Sequence, residues 1–477
     1  MWNGSNRAYG PGHWQLVTGS AVLGLVLAAG AALAAGPWDS GQRKAERDWA
    51  VAHDHTGGVH HGRTVLAGPR PAPSAPAVLA PLTRTTGLGA PDAADTPGRL
   101  RRTLTPLLKA GGLGTLRTAA VVDTATGVQL YEKGAGTPMT PASTVKIATT
   151  VAALSALGPE HRIATTVHAS PDSRTLTLVG GGDPTLDRAA LRALAAGAAR
   201  ALRPKGVTAV RLTYDASRYD GPARHPIGPN ENIAPVGALM IDEGRLDRTD
   251  SGPAPRTDDP AGDAARAFAD LLADAGVRTT GTPAPGRPAA RSTQVAEHLS
   301  APLSALVERA LTNSDNDIAE ALARQTALAA GERADFDGAG RAVTARLKAL
   351  GLPTAGTRFA DGSGLDRRDK VTAGLLTALL TRAADPAHPE LRPVLTGLPV
   401  AGFSGTLSDR YTGGSSGTGL IRAKTGTLTG VNTLAGTVVD AHGRLLAFAF
   451  MASGTTSAGE AQSDLDRLAT ALTTAAR

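Results

Sequence analysis

The sequence predicts an α+β protein whose main domain is an antiparallel sheet of about five strands flanked by helices. Two short β-type runs come early, Ala119-Ala-Val-Val-Asp123 and Val128-Gln-Leu-Tyr131, separated by a turn at Thr126-Gly127. Three more follow one another near the end, at residues 421–428, 432–440 and 444–451, with a tight turn at His442-Gly443. Between these groups, the small and apolar residues that follow Pro141 and end at Gly158 read as a mostly buried helix.

At 477 residues the chain is long enough for more than one domain, and 42% apolar content supports a real core. Aromatics are only 3%, so that core must be built mainly from Ala, Val and Leu. The chain has no cysteine, which excludes disulfides, thiolate catalysis and cysteine-based metal sites. The net charge of +7 is Arg-rich composition without a dense basic run, so nucleic acid is not an expected partner.

Taken in order, residues 1–38 form an N-terminal transmembrane anchor or signal segment. Residues 16–35 carry no charge over 20 positions, enough to span a bilayer, with Trp14 and Trp38 at the two interfaces. A signal peptide cleaved near Ala32-Leu33-Ala34 is the alternative. The basic residues Arg43, Lys44 and Arg47 follow the segment, against Arg7 alone before it, so charge does not by itself set an export orientation. Residues 39–97 turn polar and then rich in Pro and Ala, which reads as a disordered linker, and its clustered His53, His55, His60 and His61 read as solvated. Folded structure is expected from residue 98, with a helix over 104–113, then the hairpin, then the Ser143 helix. A strand at 175–179, a helix at 187–202 and a strand at 207–213 come next. An amphipathic helix over 460–475 closes the chain, with Leu465, Leu468 and Leu472 on one face.

The candidate chemistry begins in Ser143-Thr-Val-Lys146, at the start of the buried helix. Residues i and i+3 share a helix face, so hydroxyl and amine come within hydrogen-bond reach. A serine needs a neighbouring base, and a lysine serves only where burial or a second cation keeps it neutral. The helix N-terminus also offers free N–H groups and a positive dipole end to a developing oxyanion. Ser-x-x-Lys alone arises by chance in many chains and then marks only a helix start. Here it is followed, in order, by Ser314-Asp315-Asn316 and by Lys424-Thr425-Gly426-Thr427. Only 8 of the 49 cationic side chains are lysines, and two of them fall in these motifs. Where a chain otherwise writes its cations as Arg, a retained Lys suggests a role that needs a proton to leave.

This ordered trio resembles the signature of the penicillin-recognising serine acyltransferases. With Gly180-Gly-Gly-Asp-Pro184 and Asp361-Gly-Ser-Gly-Leu365 it resembles the class C low-molecular-mass penicillin-binding proteins, the D-alanyl-D-alanine carboxypeptidase/endopeptidase family. The resemblance runs from about residue 98 to the C-terminus and implies a β-lactamase/transpeptidase-like domain. Ser314 follows Ser143 by 171 residues, more than that fold needs, so an inserted domain is expected over 165–260, with 98–164 and 261–477 forming the catalytic domain. The family's insertion is usually larger.

The resemblance implies that Ser143 attacks the penultimate D-Ala carbonyl with Lys146 as base. It further implies that Ser314 relays a proton, Asn316 holds substrate and Lys146, and Lys424 keeps Lys146 neutral by like-charge repulsion. Thr425, Gly426 and Thr427 would bind substrate, and the N–H groups of Ser143 and Thr427 would form the oxyanion hole. It implies no metal or organic cofactor, and as partners peptidoglycan stem peptides, β-lactam inhibitors and the membrane, with the enzyme outside the cytoplasm. The alternatives are a β-lactamase of the same fold and a catalytically inactive wall-binding protein. Gly180-Gly-Gly lacks the Lys-Ser/Thr ending of a phosphate loop, and Ser363 lies outside a Gly-x-Ser-x-Gly elbow, so both read as structural.

Overall fold

The computed structural model describes residues 96–474, so the expected anchor at 16–35 and nearly all of the linker lie outside the described residues. No helix among the described residues is long and apolar enough to cross a membrane.

Helix α1 (Thr96–Leu107) comes first, burying Leu100 and Leu104. The expected helix over 104–113 therefore begins earlier and stops sooner. Gly111-Gly112 breaks it into a single 3-10 turn, and a Cβ on Gly112 would lie 2.5 Å from Asp464. The hairpin follows as β1 (Leu116–Asp123) and β2 (Gln129–Lys133). A 3-10 turn, Ala142–Val145, then leads without a break into α2 (Lys146–Leu157), which ends where Gly158 takes φ 83°.

The chain next builds a second sheet. Its strands are β3 (Ala164–Ala169), β4 (Thr175–Val179), β5 (Ala209–Asp215), β6 (Arg278–Thr279), β7 (Ala284–Pro285) and β8 (Thr293–Leu299). Helix α3 (Arg188–Leu202) makes the crossover between the parallel β4 and β5, and α4 (Pro260–Asp274) lies beside it. The order is β6-β5-β4-β3-β8, with β7 also on β5. Leu176, Leu178, Val210 and Leu212 from the strands share one core with Leu191, Leu194, Phe268 and Leu272 from the helices.

Residues beyond 260 were expected to return to the first sheet's domain. Instead α4 and β6–β8 pack in this second core, so it extends to Leu299. The late strands gave no clear signal because β6 and β7 are two residues long and β8 alternates only weakly between exposed and half-buried positions.

Helices α5 (Leu303–Thr312), α6 (Asn316–Ala329), α7 (Phe336–Ala349), α8 (Ala373–Ala384) and the short α9 (Arg392–Thr396) follow. The chain closes with β9 (Ile421–Leu428), β10 (Val431–Val439), β11 (Leu445–Ser453) and α10 (Ala458–Thr474), close to the expected bounds. The first sheet is antiparallel throughout, in the order β2-β1-β11-β10-β9.

Side chains alternate across this sheet, as strand geometry requires. On β11, Leu446, Phe448 and Phe450 face the core made with α1 and α10, while Ala447, Ala449 and Met451 face the core of α2 and α8. Ala447 and Ala449 on that second face let α8 lie against β11. On the edge strand β9, a Cβ on Gly426 would meet Thr433 Oγ1 at 2.2 Å and the Pro141 carbonyl, at the start of the Ser143 turn, at 2.7 Å. Gly426→Ala is therefore expected to cost about 1–3 kcal/mol by overpacking. A lowered thermal midpoint would show it, and an unchanged midpoint would mean that the strand and turn can separate freely.

Candidate active site

Ser143 sits, half-buried, in the 3-10 turn that opens α2. The turn is held from below: Thr144 Oγ1 donates to the Pro141 carbonyl (2.7 Å), and Thr433 Oγ1 on β10 donates to the same oxygen (2.7 Å). Ala142 takes φ 48°, a left-handed conformation that costs a non-glycine residue and persists only where packing over-determines it. Gly364 supplies part of that packing, since a Cβ there would lie 2.0 Å from the Ala142 carbonyl.

One turn on, Lys146 is fully buried, and its Nζ donates to Ser143 Oγ (3.1 Å), Asn316 Oδ1 (2.7 Å) and the Ser363 carbonyl (2.6 Å). Burial brings its pKa down to about 8, while the carboxylates of Asp361, Asp315, Glu320 and Asp369 pull it back up. About a tenth of the amine is then neutral at pH 7. The cause is burial rather than the expected repulsion by Lys424. Lys424 is also fully buried, and its own pKa falls well below the usual range through burial and then through the charge of Lys146. Lys424 Nζ donates to the Thr425 carbonyl at 2.8 Å.

Asn316 is the first residue of α6, and the Asp315 side chain caps that helix by accepting from the Ile318 N–H (3.0 Å). Asn316 Nδ2 donates to the Asn232 carbonyl (2.9 Å), tying the motif to the irregular segment that leaves β5. Ser314 takes φ 58° just before the cap. Thr425 and Thr427 lie on the edge strand β9, and Thr425 Oγ1 donates to Thr406 Oγ1 (2.9 Å). Ser143, Ser314, Asn316, Thr425 and Thr427 line one cleft of about 310 Å³. Lys146, Lys424 and Gly426 lie buried behind it. All three motifs are thus brought together. A larger groove of about 780 Å³, beside Thr124 to Gly127 and α8, holds none of these residues.

Sequence reasoning did not assign several participants. The Ser363 carbonyl accepts from Lys146, and the Asn232 carbonyl and Thr406 complete the surroundings. Main-chain acceptors have no residue-type signature, so no motif could mark them. Among the described residues, two groups bring metal-capable atoms within 4.8 Å of one another, His225 with Glu320 and Asp361, and Glu243 with Asp315 and Asp317. Both already sit against protein cations or N–H groups. Glu243 is paired with Arg245 and Arg309, Asp317 with Arg256 (2.7 Å), and Asp361 with His225 (3.0 Å).

A buried lysine with a lowered pKa opposes folding while it must be charged. The penalty of Lys424 is complete below its folded-state pKa, shrinks as pH rises from there, and vanishes above about 10.4, the unfolded value. Lys424→Met is expected to be more stable at pH 7 by about 1–3 kcal/mol, with the gain shrinking by pH 10. Thermal midpoints of both proteins at the two pH values test this, and equal midpoints at pH 7 would refute it.

A family model described as D-Ala-D-Ala carboxypeptidase 3 (S13) matches residues 100–255 and 247–474. The chain is 38% identical over 374 residues to Carboxypeptidase DacB of Mycolicibacterium smegmatis, covering 75% of this chain and 80% of that one. It is 32% identical to a D-alanyl-D-alanine carboxypeptidase of an Actinomadura species, covering 79% and 86%. Among solved structures, penicillin binding protein 4 of Haemophilus influenzae, complexed with a β-lactam, aligns with a TM-score of 0.63 at 23% identity, over 77% of this chain and 97% of that one. That likeness shows the fold. The motif order, their convergence on one cleft and the match over most of the described chain lead to one conclusion: this chain belongs to the D-Ala-D-Ala carboxypeptidase 3 (S13) family.

Proposed function

We propose that this chain is a serine-type D-Ala-D-Ala carboxypeptidase that acts on peptidoglycan stem peptides through an acyl-enzyme and is inhibited by penicillins. One observation carries the reading: a fully buried amine, Lys146 Nζ, lies 3.1 Å from the hydroxyl of a half-buried serine at the mouth of the cleft.

Neutral Lys146 takes the Ser143 proton as Oγ attacks the carbonyl of the penultimate D-Ala. The oxyanion forms against the N–H groups of Ser143 and Thr427. Ser314 passes a proton to the departing amine, terminal D-Ala leaves, and water hydrolyses the ester to free Ser143. Asn316 orients both the substrate amide and Lys146, which it already contacts at 2.7 Å. Thr425 and Thr427 bind the substrate carboxylate beside Lys424, and Gly426 lets their strand lie against the Ser143 turn. Action on cross-links needs only a different leaving amine at the same carbonyl. Work on peptidoglycan places the enzyme outside the cytoplasm, and we assign the uncharged residues 16–35 as its membrane anchor.

The first test is intact-protein mass spectrometry with benzylpenicillin. The wild type is expected to gain one penicillin mapped to Ser143, and Ser143→Ala to gain none. A label retained by Ser143→Ala would sink the assignment. Release of terminal D-Ala from a stem pentapeptide separates this reading from a β-lactamase, which would instead turn over nitrocefin.

A second test uses pH. Because only the neutral amine accepts a proton, the acylation rate constant should rise about tenfold per pH unit and level off near pH 8, the value to which burial lowers Lys146. Lys146→Arg, permanently protonated, is expected to lose about 10²–10⁴-fold. Stopped-flow labelling with a fluorescent penicillin measures both, and a Lys146→Arg protein acylated at the wild-type rate would exclude Lys146 as the base.

A further inference from the structure

A second pocket, of about 420 Å³, shares no lining residue with the Ser143 cleft. It lies at the carboxyl ends of β4 and β5, the parallel pair that α3 connects, and Gln325 of α6 forms part of its wall. Parallel strands joined by a helical crossover commonly take ligands at that end, where the strands give way to loops that carry polar groups. Pairing of β3 with β4 stops at Thr166 and Val179, and just beyond it the Gly181 N–H has no hydrogen bond among the described residues. Gln325 follows Asn316 by nine positions on α6, about 14 Å along the helix axis, so the pocket stands apart from the reacting serine.

Guanidinium groups outnumber carboxylates in the lining. Arg162 donates through Nη1 to the Ser300 carbonyl (2.7 Å), which anchors the fork and leaves its other N–H groups unbonded among the described residues. Arg218 has no hydrogen-bond or ion-pair partner among the described residues. Asp215 is the acid beside them, and its Oδ1 accepts from the Ser217 N–H (2.9 Å). Gln325 is only 3% exposed, and its Nε2 is spent on the Gly181 carbonyl (2.8 Å) and the Tyr219 hydroxyl (3.0 Å). That leaves Gln325 Oε1, with no hydrogen bond among the described residues, as the atom it offers to the pocket. A nearly buried amide oxygen without a donor is an exception that calls for a partner.

Resting on the reading of this chain as an enzyme of stem peptides, we propose that the pocket is a second, non-catalytic site for a stem peptide, in which Arg162 and Arg218 take a carboxylate and Gln325 Oε1 takes a peptide N–H. A guanidinium holds a carboxylate through two parallel N–H bonds, and the Gly181 N–H adds a third donor of the kind an anion needs. A phosphate dianion fits the same surroundings less well. It has no proton to give Gln325 Oε1, and Asp215 repels two charges more than one. A stem peptide carries both a carboxylate and N–H groups. Held here, it keeps the enzyme on its polymer while Ser143 works on another chain end, which raises the effective concentration of substrate without any new contact at the cleft.

The test is isothermal titration calorimetry of a stem tetrapeptide into the full chain after benzylpenicillin has filled Ser143. One binding event is expected to remain. Arg218→Ala is expected to weaken it about tenfold or more, and amidation of the peptide's carboxylates to weaken it as much, with the rate of acylation at Ser143 within about twofold of wild type. Arg218 is exposed and makes no bond that the fold relies on, so this variant keeps its structure. No binding to the acylated wild type, or binding unchanged by Arg218→Ala or by amidation, would overturn the proposal. Binding of inorganic phosphate that Arg218→Ala abolishes, with none of the peptide, would assign the pocket to phosphate and overturn it too. If benzylpenicillin leaves no adduct, the carboxypeptidase reading fails by itself. The Arg218 dependence of peptide binding, measured without the block, then still decides the second site, because Arg218 lines no part of the Ser143 cleft.

Discussion

The Lys146 amine is fully buried, and its burial dictates how the surrounding elements meet. Taking an ammonium out of water costs several kcal/mol unless oxygens replace its hydration. Here three do so, and they come from distant parts of the chain: Ser143 one turn away, Asn316 at the head of α6, and the Ser363 carbonyl in the loop after α7. Holding these together requires α2, α6 and the 361–364 turn to pack without gaps. They do so through Ile147, Val151 and Leu154 of α2 against Ile318 and Leu322 of α6, all essentially inaccessible to solvent. The buried amine is the reason that the site is assembled at all, and its lowered pKa is the chemical result.

The Ser143 turn is also clamped between two glycines. Gly426 brings β9 against it from one side and Gly364 brings the 361–364 turn from the other, each at a distance that no side chain allows. Between them Ala142 is pressed into a left-handed conformation, and Ser314 takes a similar one at the far wall of the cleft. Such residues persist only where neighbours over-determine them, and they cluster where geometry serves chemistry. On β11, Ala447 and Ala449 meet α8, while Leu446, Phe448 and Phe450 fill the core shared with α1 and α10.

Charge ties the far wall down. Glu243, Asp315 and Asp317 crowd together beneath the Ser314-Asp315-Asn316 motif, answered by Arg245, Arg256 and Arg309. Burial, together with repulsion from Asp315, raises Glu243 to about 8. Arg256 and the Ala234 N–H hold Asp317, whose pKa burial still raises to about 7. An ion-pair cluster of this kind adds little net stability once desolvation is counted, but it fixes one arrangement of the 230–257 segment against α6. That arrangement places the Asn232 carbonyl where Asn316 Nδ2 needs an acceptor.

Local patterns of residues account for the strand and helix positions, through periodicity, for the buried character of α2, through its run of apolar residues, and for the trio of motifs that marks the chemistry. These are legible because each depends on neighbours within a few residues or on a side chain that no other type can replace. Strands β9 to β11 and helix α3 fell close to their expected bounds for that reason. Long-range packing decided which carbonyls meet Lys146, that burial rather than Lys424 lowers its pKa, and that β6 to β8 join the second sheet. It also decided that His225 stands behind Asp361, 136 positions away. Main-chain acceptors carry no residue signature, two-residue strands carry no periodicity, and desolvation is a property of everything packed around a group, so none of these is written in a local stretch of chain.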